Sequence, residues 1–336
     1  MAHAAESLVH EYRGDTLDLI HYGHIAIVDE KSQIIYSAGD PCCTVFYRSA
    51  SKPIQALPAI RYGLDREYGL TEEETAIFAG SHAGEAFHIA VLENILLKAN
   101  LSEDMFIMKP TTPFSVEANE QRITHGLPRR KLYHNCSGKH AALMLLQRRL
   151  GGKTEDYWKL ESPAQQEVVE TIKTLAETDC VKYGVDGCGV PVFAVGLQHI
   201  AISFKNLVRP GAIHDAALAS TVESFVPLMH RYPLMISGTG RICSFLNQDP
   251  NIVAKGGANG VYGFALKNEG LGVAFKVTDG TERAWPLIIM DILRALGCLS
   301  PETEQRLEEL KAGIVLDDNK IPVGRRETVF TGITPH

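Results

Sequence analysis

Strand-like runs lie toward both ends of this 336-residue chain, and helical periodicity fills its middle. Ile20 to Asp29 and Ser32 to Ser37 are rich in β-branched and aromatic residues and are joined at Glu30-Lys31, which predicts a hairpin. Val253 to Leu266 and Leu271 to Val277 predict strands around a polar turn at Lys267 to Gly270. Between these ends, Ala141, Leu143, Leu145, Leu146 and Leu150 recur at helical spacing after Ser137-Gly138, and Gly151-Gly152 stops the pattern. Ser162-Pro163, with Gln165 three residues after the serine, is a capping-box start for a helix to about Ala176. Further helices are expected over Glu72 to Phe78, Ala90 to Ala99, Ala216 to His230, Trp285 to Leu296 and Pro301 to Leu310. Another should begin at Pro53 and be bent or shortened by Pro58. This order is not a βαβ alternation. It predicts an α/β protein of the α+β kind, an antiparallel β-sheet flanked by α-helices.

The chain is 45% hydrophobic and 22% charged, ordinary for a soluble globular protein. No linker, repeat or low-complexity tract interrupts it, so residues 1–336 are expected to form a single catalytic unit of two interleaved lobes. A formal charge of −7 without a basic stripe argues against nucleic acid as a partner. No apolar run approaches the ~20 residues that span a bilayer, so no membrane is expected either. Met1 to Asp18 carries charges and no apolar leader core, and the cysteines are seven, an odd number without framework spacing. Both point to a reducing, cytoplasmic setting.

Candidate chemistry starts at Arg48-Ser49-Ala50-Ser51-Lys52-Pro53. In a helical turn, Ser49 and Lys52 at i and i+3 share a face, and a desolvated, neutral lysine can take the serine proton. This local geometry favours Ser49 as a nucleophile; the bland reading is a solvated lysine at a helix start. Ser81 lies in a glycine-flanked loop followed by His82, Glu85 and His88, either a second catalytic hydroxyl or a helix entry. Cys136 and Lys139, in Asn135-Cys136-Ser137-Gly138-Lys139-His140, share a face at the start of a helix, where a thiol leans toward thiolate. Cys188, in Asp186-Gly187-Cys188-Gly189, is a second thiol in a turn. Brought together, two thiolates and a nitrogen would suit a tetrahedral zinc ion with one open position, whereas buried thiols beside a helix-start lysine would carry no metal. Arg241, in Ser237-Gly238-Thr239-Gly240-Arg241, can bind a carboxylate bidentately. Lys255 precedes the turn-prone Gly256-Gly257-Ala258-Asn259-Gly260, and by itself reads as an exposed strand-end lysine.

Taken in this order and at these separations, the motifs resemble the Rhizobium etli type of L-asparaginase, the asparaginase II family, from about Tyr22 to Asp279. The resemblance implies a serine β-lactamase/glutaminase-like fold and a homodimer. It implies hydrolysis of L-asparagine to L-aspartate and ammonia through a serine–lysine acyl-enzyme. It pairs Ser49 with Lys52 and Ser81 with Lys255. It makes Cys136, Lys139 and Cys188 the ligands of a Zn2+ ion, whose role is open between orienting substrate and activating water, and it places Arg48, His140, Asp186 and Arg241 at or near the substrate. The chain departs from the family pattern at Gly189, where asparagine is expected, in the loop 255–260, and in an expected longer C-terminus.

Three other functions compete. A glutaminase or another β-lactamase-like serine amidohydrolase would use the same hydroxyls and lysines. A penicillin-recognising enzyme would also carry Ser-x-x-Lys, but Ser-Asp-Asn and Lys-Thr-Gly are missing from the sequence. A non-catalytic zinc-binding protein of the same fold would have no need of bases beside hydroxyls.

Overall fold

The computed structural model describes residues 4–334. Along the chain run β1 (Glu6–Arg13), β2 (Thr16–Val28), β3 (Ile34–Ala38), β4 (Thr44–Phe46), α1 (Lys52–Arg61), α2 (Leu64–Glu67), α3 (Glu72–Ala76) and α4 (Ala86–Lys98). The middle holds α5 (Val116–Thr124), α6 (Ser137–Arg149), α7 (Pro163–Ala176), β5 (Lys182–Val185), β6 (Pro191–Gly196), α8 (Leu197–Val208) and α9 (Ala216–Arg231). Then come α10 (Pro233–Ile236), α11 (Ile242–Leu246), β7 (Ile252–Gly256), β8 (Val261–Leu266), β9 (Leu271–Val277), α12 (Trp285–Ala295), α13 (Pro301–Glu308), β10 (Ile314–Leu316) and β11 (Pro322–Thr328). These elements form two compact units, and each is assembled from separate stretches of chain: 1–50, 194–208 and 249–336 in one, 51–193 and 209–248 in the other. Among the described residues, no helix is long and apolar enough to cross a membrane.

The first unit holds the antiparallel sheet, in the order β10-β11-β1-β2-β9-β8-β7 with β3 also paired to β2. β8 is buried along its whole length because both of its faces are covered. Tyr262 meets Trp285 of α12 edge-on at 5.0 Å, while the adjacent Gly263 lies against the ring of Phe204 on α8. Successive residues of a strand face opposite ways, so α8 and α12 cover opposite faces. A Cβ on Gly263 would stand 2.2 Å from the Phe204 ring, and one on Gly272 would stand 2.1 Å from the Ala201 carbonyl oxygen. Glycine at these two positions lets α8 lie close to the sheet.

The second unit is mainly helical and is organised on α1, whose residues Lys52 to Ile60 are all buried and which packs on α6, α7 and α9. Pro58 neither ends nor shortens α1, which runs ten residues to Arg61. A proline removes one helical N–H, and the close packing on three helices offsets that loss. Ser162 caps α7 by accepting from Gln165 N at 3.4 Å. The capping box closes on that side alone, because the Gln165 side-chain amide donates to Tyr157 O.

Candidate active site

In the helical unit, Lys52 is the first residue of α1 and is 1% exposed. Burial lowers its pKa and the nearby Lys139 charge lowers it further, with Cys136 and Cys188 acting in the opposite sense. A cation at a helix N-terminus is also disfavoured by the helix dipole. Lys52 Nζ lies 2.9 Å from Ser81 Oγ and 3.0 Å from Asn135 O. A neutral amine so placed can donate to the carbonyl while its lone pair faces the serine hydroxyl. Ser81 sits in the loop between the turn Ile77–Ala79 and α4, and its N–H donates to Ile236 O at 2.8 Å. That N–H is therefore engaged within the fold and is not free to stabilise an oxyanion. A Cβ on Gly80 would stand 2.3 Å from Met235 O, which is how the loop comes this close to the end of α10.

Thiols and a second lysine gather beside this pair. Cys136, Lys139 and Cys188 are buried, and Lys139 Nζ is 3.4 Å from Cys188 Sγ. A hydrogen bond from Cys188 holds the Cys136 thiol well below its usual pKa, aided by the charges of Lys52 and Lys139. Its partner Cys188 is pushed up by that same bond and by burial, so of the two sulfurs Cys136 is the one that leans toward thiolate. Burial opposes the Lys139 charge, but Cys188, Cys136 and Asp186 more than restore it. Asp186 closes the turn that presents Cys188: Gly189 N donates to its carbonyl, Gly187 N to its carboxylate, and its Oδ2 is 3.9 Å from Cys188 Sγ. Gly189 has φ +89°, and a Cβ there would meet Ile107 at no less than 3.4 Å. Asparagine, the residue expected at Gly189, is among the few that tolerate this left-handed region, so the departure leaves the turn intact.

His140 is fully buried, and burial lowers its pKa well below the usual value. The Tyr157 hydroxyl accepts Ile107 N–H at 2.9 Å and lies 2.8 Å from His140 Nδ1. Among the described residues, His140 Nε2 has no hydrogen-bond partner. Arg241 is exposed, and its Nε donates to Ser237 Oγ at 3.1 Å.

The sheet unit carries the other predicted residues. Arg48 has φ +51°, a left-handed conformation that costs a non-glycine residue about 1 kcal/mol or more, and the half-buried Ser49 follows it. Gly257, just past β7, is pressed against this turn: a Cβ there would stand 2.5 Å from Tyr47 O and 3.1 Å from Arg48 Cβ. Lys255 is 1% exposed rather than a surface lysine, and its Nζ donates to Gly256 O at 2.7 Å.

Of the predicted residues, Lys52, Ser81, Cys136, Lys139, Asp186 and Cys188 come together within one unit, and Arg48, Ser49 and Lys255 belong to the other. Within the helical unit, Ser81 Oγ has Lys52 Nζ as a hydrogen-bond partner, 29 residues away in sequence. Sequence reasoning overlooked Asn135, whose carbonyl holds Lys52, and Tyr157, whose hydroxyl meets His140 Nδ1. Asn135 lay inside a motif already singled out. No pattern marked Tyr157.

The chain is similar in structure to a β-lactamase (Mb2281c) from Mycobacterium bovis, at 13% identity over 81% of this chain and 94% of that one, with a TM-score of 0.42. It is similar to Mglu at 16% identity, covering 81% of this chain and 60% of Mglu, with a TM-score of 0.45. A Bacillus glutaminase matches at 16% identity over 77% of this chain and 84% of its own, with a TM-score of 0.34. No curated protein sequence matches the chain. The sequence pattern of the L-asparaginase II family runs from residue 9 to residue 328, taking in every candidate site residue, and the chain belongs to that family of amidohydrolases.

Proposed function

We propose that this protein is an L-asparaginase that releases ammonia from L-asparagine through an acyl-enzyme on Ser81, with Lys52 as the base. The observation that carries this reading is the buried Lys52 amine 2.9 Å from Ser81 Oγ. Neutral Lys52 takes the Ser81 proton as the oxygen attacks the side-chain amide carbon. The tetrahedral intermediate collapses, the amide nitrogen leaves with a proton from Lys52 as ammonia, and water then releases aspartate from the ester. Ser49 is the other candidate hydroxyl, three residues before Lys52 in the chain.

The donor set also suits zinc. Cys136 carries thiolate character, Cys188 hydrogen-bonds it, and Lys139 Nζ is within 3.4 Å of that second sulfur, all buried. Cys136, Cys188 and Lys139 would hold the ion, Lys139 after losing its proton. When bound, zinc would supply a Lewis-acidic point that orients the polar groups of the substrate. The unpartnered Nε2 of His140 is a further polar atom suited to a substrate group.

The test is ammonia release by the purified protein from asparagine and from glutamine, compared with Ser81→Ala, Ser49→Ala and Lys52→Ala. Asparagine turnover lost in Ser81→Ala and Lys52→Ala supports the reading. Comparable rates on the two amides would move it to a glutaminase-asparaginase, and turnover surviving Ser81→Ala but not Ser49→Ala would move the acylated oxygen to Ser49.

A further inference from the structure

His82, next to Ser81, is fully buried, and its hydrogen bonds define one tautomer. Gly84 N donates to His82 Nδ1 at 3.1 Å, so Nδ1 carries no proton and the ring hydrogen is on Nε2. Nε2 lies 2.7 Å from Ser137 Oγ and donates to it, and Ser137 Oγ donates onward to Leu132 O at 3.2 Å. Every donor and acceptor in this chain of bonds is used, and the ring stacks on His88 with centroids 5.2 Å apart. A second ring proton would displace Gly84 N–H from its only acceptor here and add a charge near Lys52, which is why burial, His88 and Lys52 keep the ring neutral.

One short segment receives both ends of the catalytic pair. Lys52 Nζ is bound to Asn135 O, and the residue after Ser81 is bound to Ser137 Oγ, two positions further along the same chain. Ser137 is also the first residue of α6, and Gly138 lies so close to Ile77 O that a Cβ there would stand 2.3 Å from it. The segment 135–138 is therefore braced against the turn that leads into the Ser81 loop.

We propose that His82 is a positioning residue: its Nε2–H bond to Ser137 holds the Ser81 loop against the same segment that anchors Lys52, and so keeps Ser81 Oγ within reach of the amine. The proposal rests on the Ser81–Lys52 reading above, and it concerns placement, with His82 neither taking nor giving a proton. Misplacement by about 1 Å typically costs ~100-fold in rate. A lost anchor should therefore lower kcat and leave KM little changed.

The test follows two readouts in Ser137→Ala, His82→Ala and His82→Gln, the last of which keeps an N–H donor near the position of Nε2. One readout is ammonia release from asparagine across pH. The other is the rate at which a fluorophosphonate labels Ser81, read by mass spectrometry, which needs no substrate. Ser137→Ala and His82→Ala should lose about 10- to 100-fold in kcat and in Ser81 labelling, with KM within about threefold and the midpoint of the acid limb unmoved. His82→Gln should recover at least about a third of the wild-type labelling rate. The proposal is overturned if folded Ser137→Ala labels Ser81 at the wild-type rate, if only the melting temperature changes, or if the acid limb vanishes in His82→Gln, which would make the histidine itself the base. It is also overturned if wild-type Ser81 is not labelled at all. Should His82→Ala fail to fold, Ser137→Ala and His82→Gln decide the matter. Labelling of Ser81 without ammonia from either amide would sink the asparaginase reading and leave the His82 comparison standing.

Discussion

Lys52 Nζ reaches Ser81 Oγ at 2.9 Å across 29 residues of sequence, although a serine stands three positions before it in the chain. Removing the amine in Lys52→Met should lower kcat for asparagine by 100-fold or more, the usual weight of a general base. Lys52→Arg should not restore it, because a guanidinium keeps its proton. Ammonia release at saturating asparagine checks both, and an arginine variant with wild-type turnover would remove Lys52 from proton transfer.

The base form of Lys52 is the active one. Its pKa is lowered by burial, so activity should rise with pH through a midpoint below the 10.5 of an ordinary lysine. A kcat/KM profile from pH 5 to pH 10 locates that limb. A midpoint at the ordinary lysine value would mean the amine is solvated in solution.

Stability should fall in mild acid. Burial holds His88 at about 4 against 6.5 for a free imidazole, so between these values the unfolded chain binds a proton that the folded one refuses. The stability this confers on the neutral ring is complete above pH 6.5 and is lost as pH falls toward 4, amounting to about 3 kcal/mol at the rate of 1.36 kcal/mol per unit. His82 and His140 are displaced in the same direction and add to the slope. Urea denaturation at pH 7, 5.5 and 4.5 measures it, and a flat result would show that these rings are not buried in solution.

Zinc bound through Cys136, Cys188 and Lys139 should appear as one ion per chain by elemental analysis and fall to background in Cys188→Ala. If its work is to orient substrate, chelation should raise KM more than it lowers kcat. Turnover at saturating asparagine abolished by chelation as fully as by Ser81→Ala would contradict that role.

Gly257→Ala places a methyl 2.5 Å from Tyr47 O and from Val261 Cγ1. The turn at Arg48 is already held at φ +51° and has little room to yield. A loss of about 1–3 kcal/mol is expected, read as a lower urea midpoint at unchanged m. A substitution that leaves stability intact would show that this turn moves freely.

Local order in the chain carried much of the architecture. Apolar spacing after Ser137-Gly138 foretold α6, Ser162 foretold the start of α7, and Leu271 to Val277 foretold β9 to the residue, because each signal is read within one or two turns or along one strand. The stretch that became β6 and α8 gave no such signal. β6 ends at Gly196 and α8 begins at Leu197, so strand runs into helix with no turn residues between them to mark a boundary. The candidate residues were likewise named by their motifs, while their partners were not. Spacing suggested Ser49 for Lys52; the contacts of Lys52 with Ser81 and Asn135, 29 and 83 residues away, come from packing within the helical unit. Residue type and short-range periodicity set which groups are available for chemistry. Which of them meet depends on the burial of segments far apart in the chain, and no local pattern records that.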